Sequence, residues 1–146
     1  MATVIRSMSD LTKILESRIQ KVLKMTQQEI FEVIQQHITD YYKEYTPHMY
    51  QRTWEFLNSL IKTHIVRTNG VMSCTVEIDR NYLTYRYDGG ATGLEAATYA
   101  NKHSHGGIYD DDFGQFWNDA MVELGLKPGI EYLMKNNLKK CGVPVK

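Results

Sequence analysis

The sequence predicts an α+β fold: a long N-terminal helix, a small antiparallel sheet built on a hairpin, and helices near the C-terminus. Three observations carry this. Residues 9–45 contain neither glycine nor proline. An Asn69-Gly70 pair sits between two runs rich in β-branched residues. Gly125 and Pro128 separate two amphipathic stretches near the end of the chain.

In the first region, Leu11, Leu15, Ile19, Val22 and Leu23 recur at three- and four-residue steps, and so do Ile30, Ile34, Ile38, Tyr41 and Tyr45. Such spacing lines one stripe of an amphipathic helix. Between the two runs, "KMTQQE" sets Thr26 and two glutamines where the stripe should continue. This leaves two readings open, one helix of about 54 Å or two helices hinged near Thr26. Ser9 or Asp10 has the chemistry of an N-cap. Thr46-Pro47 ends the helix, because proline disfavours helical geometry in the residue before it. "QRTWEFLNSL" then reads as a short helix with Trp54, Leu57 and Ile61 on one side.

A β-region follows. "THIVRT" and "VMSCTVEID" are strands joined through Asn69-Gly70, which adopts the positive φ angles of a type I′ turn. "NYLTYRY" is a third strand by its alternation, with Tyr82, Thr84 and Arg86 on one face. The stretch from about 89 to 112 is rich in glycine and polar residues, with a helical turn around Leu94 to Ala100, and is expected to be flexible. "DFGQFWNDAMVELG" forms a helix carrying Phe116, Trp117, Ala120, Met121 and Leu124, stopped at Gly125. Pro128 opens a last helix to about Lys140, and residues 141–146 are a short tail.

The length of 146 residues suits one domain, 1–146. Lys plus Arg and Asp plus Glu both number 17, and this balance argues against a chain whose main task is gripping phosphate backbone. Cys74 and Cys141 show no metal or redox spacing, so both read as reduced thiols. The start lacks the apolar run of a signal peptide, and no stretch reaches membrane-spanning length. Maturation inside the producing cell is the expectation, with no membrane partner.

Catalytic signatures are weak. His103 and His105, with Asp110 nearby, form the best candidate metal site, since histidines at i and i+2 can point the same way on a strand. No spacing there matches a metal motif, so a solvated loop is the stronger reading. Neither cysteine neighbours a histidine or basic run that would stabilise a thiolate. "DGGATG" lacks the lysine of a phosphate cradle. The belt "YKEYTPHMYQRTWEFLNSL" interleaves aromatic rings with Lys43, Arg52 and Lys62. Base stacking is one use of such a belt. Closing a helix-to-helix corner is the better one, with Tyr41, Tyr45, Tyr50 and Trp54 packed there and Arg52 and Thr53 bonded to backbone groups. Any exposed part would suit a protein–protein interface.

In this order the elements resemble the minor tail-component, or tail-completion, family of long-tailed bacteriophages. Arg52-Thr53, Leu57 and Ser59 match that family's Arg-Thr-Gly-x-Leu-x-x-Ser stretch, with Trp54 standing where glycine is usual. Tyr99-Ala100 followed by Gly106-Gly107 matches its Tyr-Ala segment and glycine loop, and Ala120 falls near a later alanine. Asn101-Lys102-His103 stands where an acidic residue often precedes the glycine. The resemblance covers most of the chain. It implies a non-catalytic virion subunit without cofactor or metal, made in the bacterial cytoplasm. The subunit would assemble as a ring at the head–tail joint, beside connector or stopper and tail-tube proteins. DNA would pass through that ring without specific binding. Interface candidates are Tyr45, Tyr50, Arg52, Thr53, Trp54, Leu57, His103, His105 and Asp110. A small metal-dependent enzyme or metal-binding protein using His103, His105 and Asp110, and a nucleic-acid-binding accessory protein, are the alternatives.

Overall fold

The computed structural model describes residues 7–44, 54–83, 92, 93, 95, 116–125 and 130–145, and the fold is α+β. Helix α1 (Met8–Glu44) is its spine. At 1.5 Å per residue its length is about 55 Å. It is one helix with no hinge at Thr26. The polar residues in the buried stripe are tolerated because each finds a partner. The Thr26 hydroxyl donates to the Val22 carbonyl at 2.9 Å, and Gln27 reaches across to the hairpin. The helix also starts earlier than Ser9 or Asp10. Ser7 is the cap, its Oγ accepting the Asp10 backbone N–H at 3.1 Å. Ser7, Ser9 and Asp10 all have cap chemistry, and only this bond distinguishes them.

Helix α2 is a single turn (Glu55–Asn58), shorter than the sequence suggests. Ser59, fully buried, ends it: its backbone N–H donates to the Glu55 carbonyl at 2.8 Å, and its carbonyl accepts from Asp79 at 2.7 Å. The chain therefore turns into the sheet at once, and Ile61 lies in a strand and not on a helix face.

Strands β1 (Leu60–Lys62) and β4 (Val76–Ile78) pair antiparallel at the base of a hairpin, and β2 (Val66–Thr68) and β3 (Val71–Ser73) pair at its tip. Asn69 at φ 52° and Gly70 at φ 80° make the predicted turn. Between the two pairs the register slips by one. Thr63 donates to Thr75, and Val66 faces Ser73, so His64 and Ile65 together oppose only Cys74. This is a bulge in the first arm. The second arm alternates without a break, with Met72, Cys74, Val76 and Ile78 half-buried and Val71, Ser73, Thr75 and Glu77 exposed. The first arm changes parity at the bulge, which brings Arg67 to a 2.7 Å ion pair with Glu16 of α1.

The third strand is not formed at its start. Arg80–Tyr82 is a 3-10 turn, held by the Asp79 carboxylate accepting from the Asn81 N–H at 2.9 Å. Asp79 offers the backbone a local turn that outweighs the alternation of "NYLTYRY". Residues 84–87 lie outside the described residues, as does nearly all of the predicted flexible loop. Within that loop, Thr92 and Glu95 form a capping box. The Thr92 N–H donates to Glu95 Oε2 at 2.7 Å, and the Glu95 N–H donates to Thr92 Oγ1 at 3.2 Å. The bond from the Thr92 N–H holds the Glu95 carboxyl below its usual range. Gly93 lies so close that an added Cβ would meet the Leu83 backbone at 3.3 Å.

Helix α3 (Phe116–Glu123) and helix α4 (Ile130–Lys140) both pack along α1. Gly125, at φ 63°, closes α3 as expected. Gly142, at φ 70°, closes α4: its N–H donates to the Lys139 carbonyl and the Val143 N–H to that of Leu138. The main core joins Ile34 and Ile38 of α1, Leu60 of β1, and Phe116 and Ala120 of α3.

Candidate functional site

The aromatic belt is partly described, and its described part forms a graded stack from core to surface at the C-terminal end of α1. Buried Phe116 meets Phe56 edge-on with centroids 5.1 Å apart, and lies 6.5 Å from Tyr41. Phe56 lies 6.4 Å from Tyr42, and Tyr42 lies 4.8 Å from Trp54. Leu57, on one side of the short helix, packs partly buried against the main core. Trp54 does not: it is 46% exposed and caps α2 in the left-handed conformation, φ 60° and ψ 8°. The ring lies too far out to be a core anchor. Its backbone conformation is one that glycine takes freely and a bulky residue takes at a cost of roughly 1–2 kcal/mol. Glycine is the residue expected at this position from the resemblance above.

This conformation reverses the usual order of substitutions. Trp54→Gly removes the strain along with the ring and is expected to leave stability within about 1 kcal/mol of the parent. Trp54→Ala keeps the strain, loses the ring and is expected to cost about 1–2 kcal/mol. Urea melts of the two variants decide it; an alanine variant at least as stable as the glycine one would contradict the strain.

Around this corner the charges are locally paired. Gln36 donates to both Asp40 carboxylate oxygens at 2.9 Å, and Lys43 reaches one of them at 2.9 Å. These contacts, Gln36 first, hold the Asp40 carboxyl below its ordinary value. His37 Nε2 meets Glu123 at 2.6 Å, tying α1 to α3. Tyr45, Tyr50, Arg52, Thr53, His103, His105 and Asp110 lie outside the described residues. Among the described residues no group of three His, Cys, Asp or Glu side chains could hold a metal ion, and no helix is long and apolar enough to cross a membrane. Both cysteines are free. Cys74 is half-buried with its Sγ 3.9 Å from the Leu23 carbonyl oxygen, and burial pushes its thiol up, away from thiolate.

Two polar contacts on α1 were missed by sequence reasoning. The Gln27 side-chain amide donates to the Thr63 carbonyl at 2.9 Å and the Thr75 carbonyl at 2.7 Å, at the bulge. On another side of α1, the fully buried Asn137 of α4 donates to Thr26 Oγ1 at 3.0 Å and Glu29 Oε2 at 3.1 Å. The available signal was a polar residue inside an otherwise apolar stripe, which in a buried setting demands a partner.

The class these features define is a helix-spined α+β protein whose described part carries contacts and no catalytic constellation. The chain belongs to the YomN family, whose model matches residues 7–140. That family name is of the prophage type, and the chain is phage-related. Comparison with curated proteins and with solved structures finds no match.

Proposed function

We propose that the chain is a structural subunit of a bacteriophage virion, a tail-completion or head–tail connector (neck) protein that acts by assembling as a ring, and not an enzyme. Its partners are then other copies of itself and the adjoining connector or stopper and tail-tube proteins. DNA passes through the ring, and the protein resides in the virion. Membership of a phage-related family supports this reading, as does the order of long helix, hairpin and C-terminal helices.

The observation that carries it is exposed apolar surface in more than one place: at the hairpin tip and the first turns of α1, and again at Val122 of α3 and Tyr132 of α4. The Arg67–Glu16 pair sets the hairpin tip beside the first turns of α1. At that end Met8 is 76% exposed, Val66 55% and Val71 66%, with Leu15 and Ile19 also partly open. On the hairpin tip, Val66, Thr68, Val71 and Ser73 share the face opposite Arg67 and Met72. Apolar patches of this kind mark contact surfaces, and a ring needs two such surfaces on each subunit.

Ile19→Glu and Val71→Glu are therefore expected to melt within about 1 kcal/mol of the parent, as surface substitutions do, yet to reduce infectious particles. Complementation of a phage lacking the protein measures the yield, and microscopy should find separate heads and tails. Normal tailed particles from both variants would overturn the joining role.

A further inference from the structure

Helix α4 is attached differently from the rest of the fold. It supplies no residue to the main core, and its one buried side chain is polar. Beside the fully buried Val22 of α1 and a 3.8 Å contact of Cys141 Sγ with Met25 Sδ, the contact with α1 is a seam of hydrogen bonds: Asn137 to Thr26 and Glu29, Lys140 to Glu29 at 3.5 Å, and Arg18 Nη1 to the Gly142 carbonyl at 3.0 Å.

The seam also holds a defect. Asn137 Oδ1 is buried with no donor among the described residues. Turning the amide over does not repair this. Glu29 Oε2 can only accept, so the NH2 group must face it. The Thr26 hydroxyl has its single hydrogen on the Val22 carbonyl, so it too can only accept from Asn137. The neighbours therefore fix the orientation and leave the oxygen without a donor among the described residues. A buried acceptor without a donor works against closure by about tenfold or more in the equilibrium.

We propose that α4 with its tail is a latch, which leaves α1 as a unit while the main core stays folded and so uncovers the α1 face of Val22, Thr26 and Glu29. Asn137 is its key: it sets the register of α4 through two specific bonds and, through its unpaired oxygen, keeps the closed state shallow. The seam then serves positional specificity over affinity, as buried polar residues do at other helix contacts.

Native-state hydrogen exchange tests this on the intact chain. The amides of α4 are expected to exchange as one set, about 100-fold or more faster than those of Ile34–Ile38 and of α3. Replacing both partners by apolar groups of similar shape, Thr26→Val with Asn137→Leu, removes the unpaired oxygen and should slow α4 about tenfold without altering α3. Asn137→Asp, which sets a carboxylate against Glu29, should speed α4 alone. Exchange of α4 at the same rate as Ile34–Ile38 would overturn the latch. Unchanged α4 exchange in the double variant would overturn the role of Asn137 as its key.

Discussion

Ile38→Ala is expected to lower stability by roughly 2–5 kcal/mol, because the side chain is fully buried where α1, β1 and α3 meet. The loss has two parts: the transfer free energy of the deleted carbons and the cavity left among Leu60, Phe116 and Ala120. Three separate elements frame that space, so no single movement can fill it, and the cost should lie toward the upper half of the range. A domain of this size holds about 5–15 kcal/mol in total, so the melting temperature should fall by roughly 5–15 °C. Thermal melts followed by circular dichroism measure it. Tyr132→Ala, on the exposed side of α4, is the matched control and should change little. An Ile38→Ala protein that melts with the parent would mean that the spine does not organise the core in this way.

The parts of the fold that depend on local pattern were legible in the sequence. The stripe through Ile34, Ile38 and Tyr41 is buried, whereas Leu15 and Ile19 of the first run are exposed. The Asn69-Gly70 turn has the expected dihedral signs. All five apolar residues assigned to the face of α3 are in or against the core, or buried beside it. These follow from periodicity and from the conformational preferences of single residues. What was not legible depends on distant partners. Nothing local says that Gln27 will find two carbonyls on a bulge, and that partnership is what lets α1 run straight through Thr26. The 3-10 turn at Arg80–Tyr82 is a contest between a strand pattern and one cap bond from Asp79, and only geometry decides it. The site was legible in part. The described rings of the belt, Tyr42, Phe56 and Trp54, stack at the end of α1, and Tyr45 and Tyr50 lie outside the described residues; the position of Trp54 outside the core follows from a backbone angle that composition does not reveal.

Gln27→Glu is expected to be the most damaging polar substitution, at roughly 3–5 kcal/mol near neutral pH. The residue is buried, and its amide supplies both hydrogens to the hairpin, one to the Thr63 carbonyl and one to that of Thr75. The Thr75 oxygen also receives the Thr63 N–H at 3.0 Å, so the Thr63 oxygen is the one that depends on Gln27. Gln27→Leu would orphan that acceptor and cost about 1–3 kcal/mol. A carboxylate does more: it sets a buried negative charge against two carbonyl oxygens, with no hydrogen to offer either. The folded state must then favour the neutral acid, which regains one of the two bonds, so the introduced carboxyl titrates above its unfolded value of about 4.3. The sign follows directly. The variant binds more protons folded than unfolded, so its deficit is smallest below pH about 4.3 and grows as the pH rises through the raised folded value. Urea melts of parent, Gln27→Leu and Gln27→Glu at pH 4 and pH 7 separate the terms, because only the glutamate variant should lose stability relative to the parent between the two. A glutamate deficit that is the same at both pH values would show that water reaches the bulge and that Gln27 is not the clamp holding the hairpin on the spine.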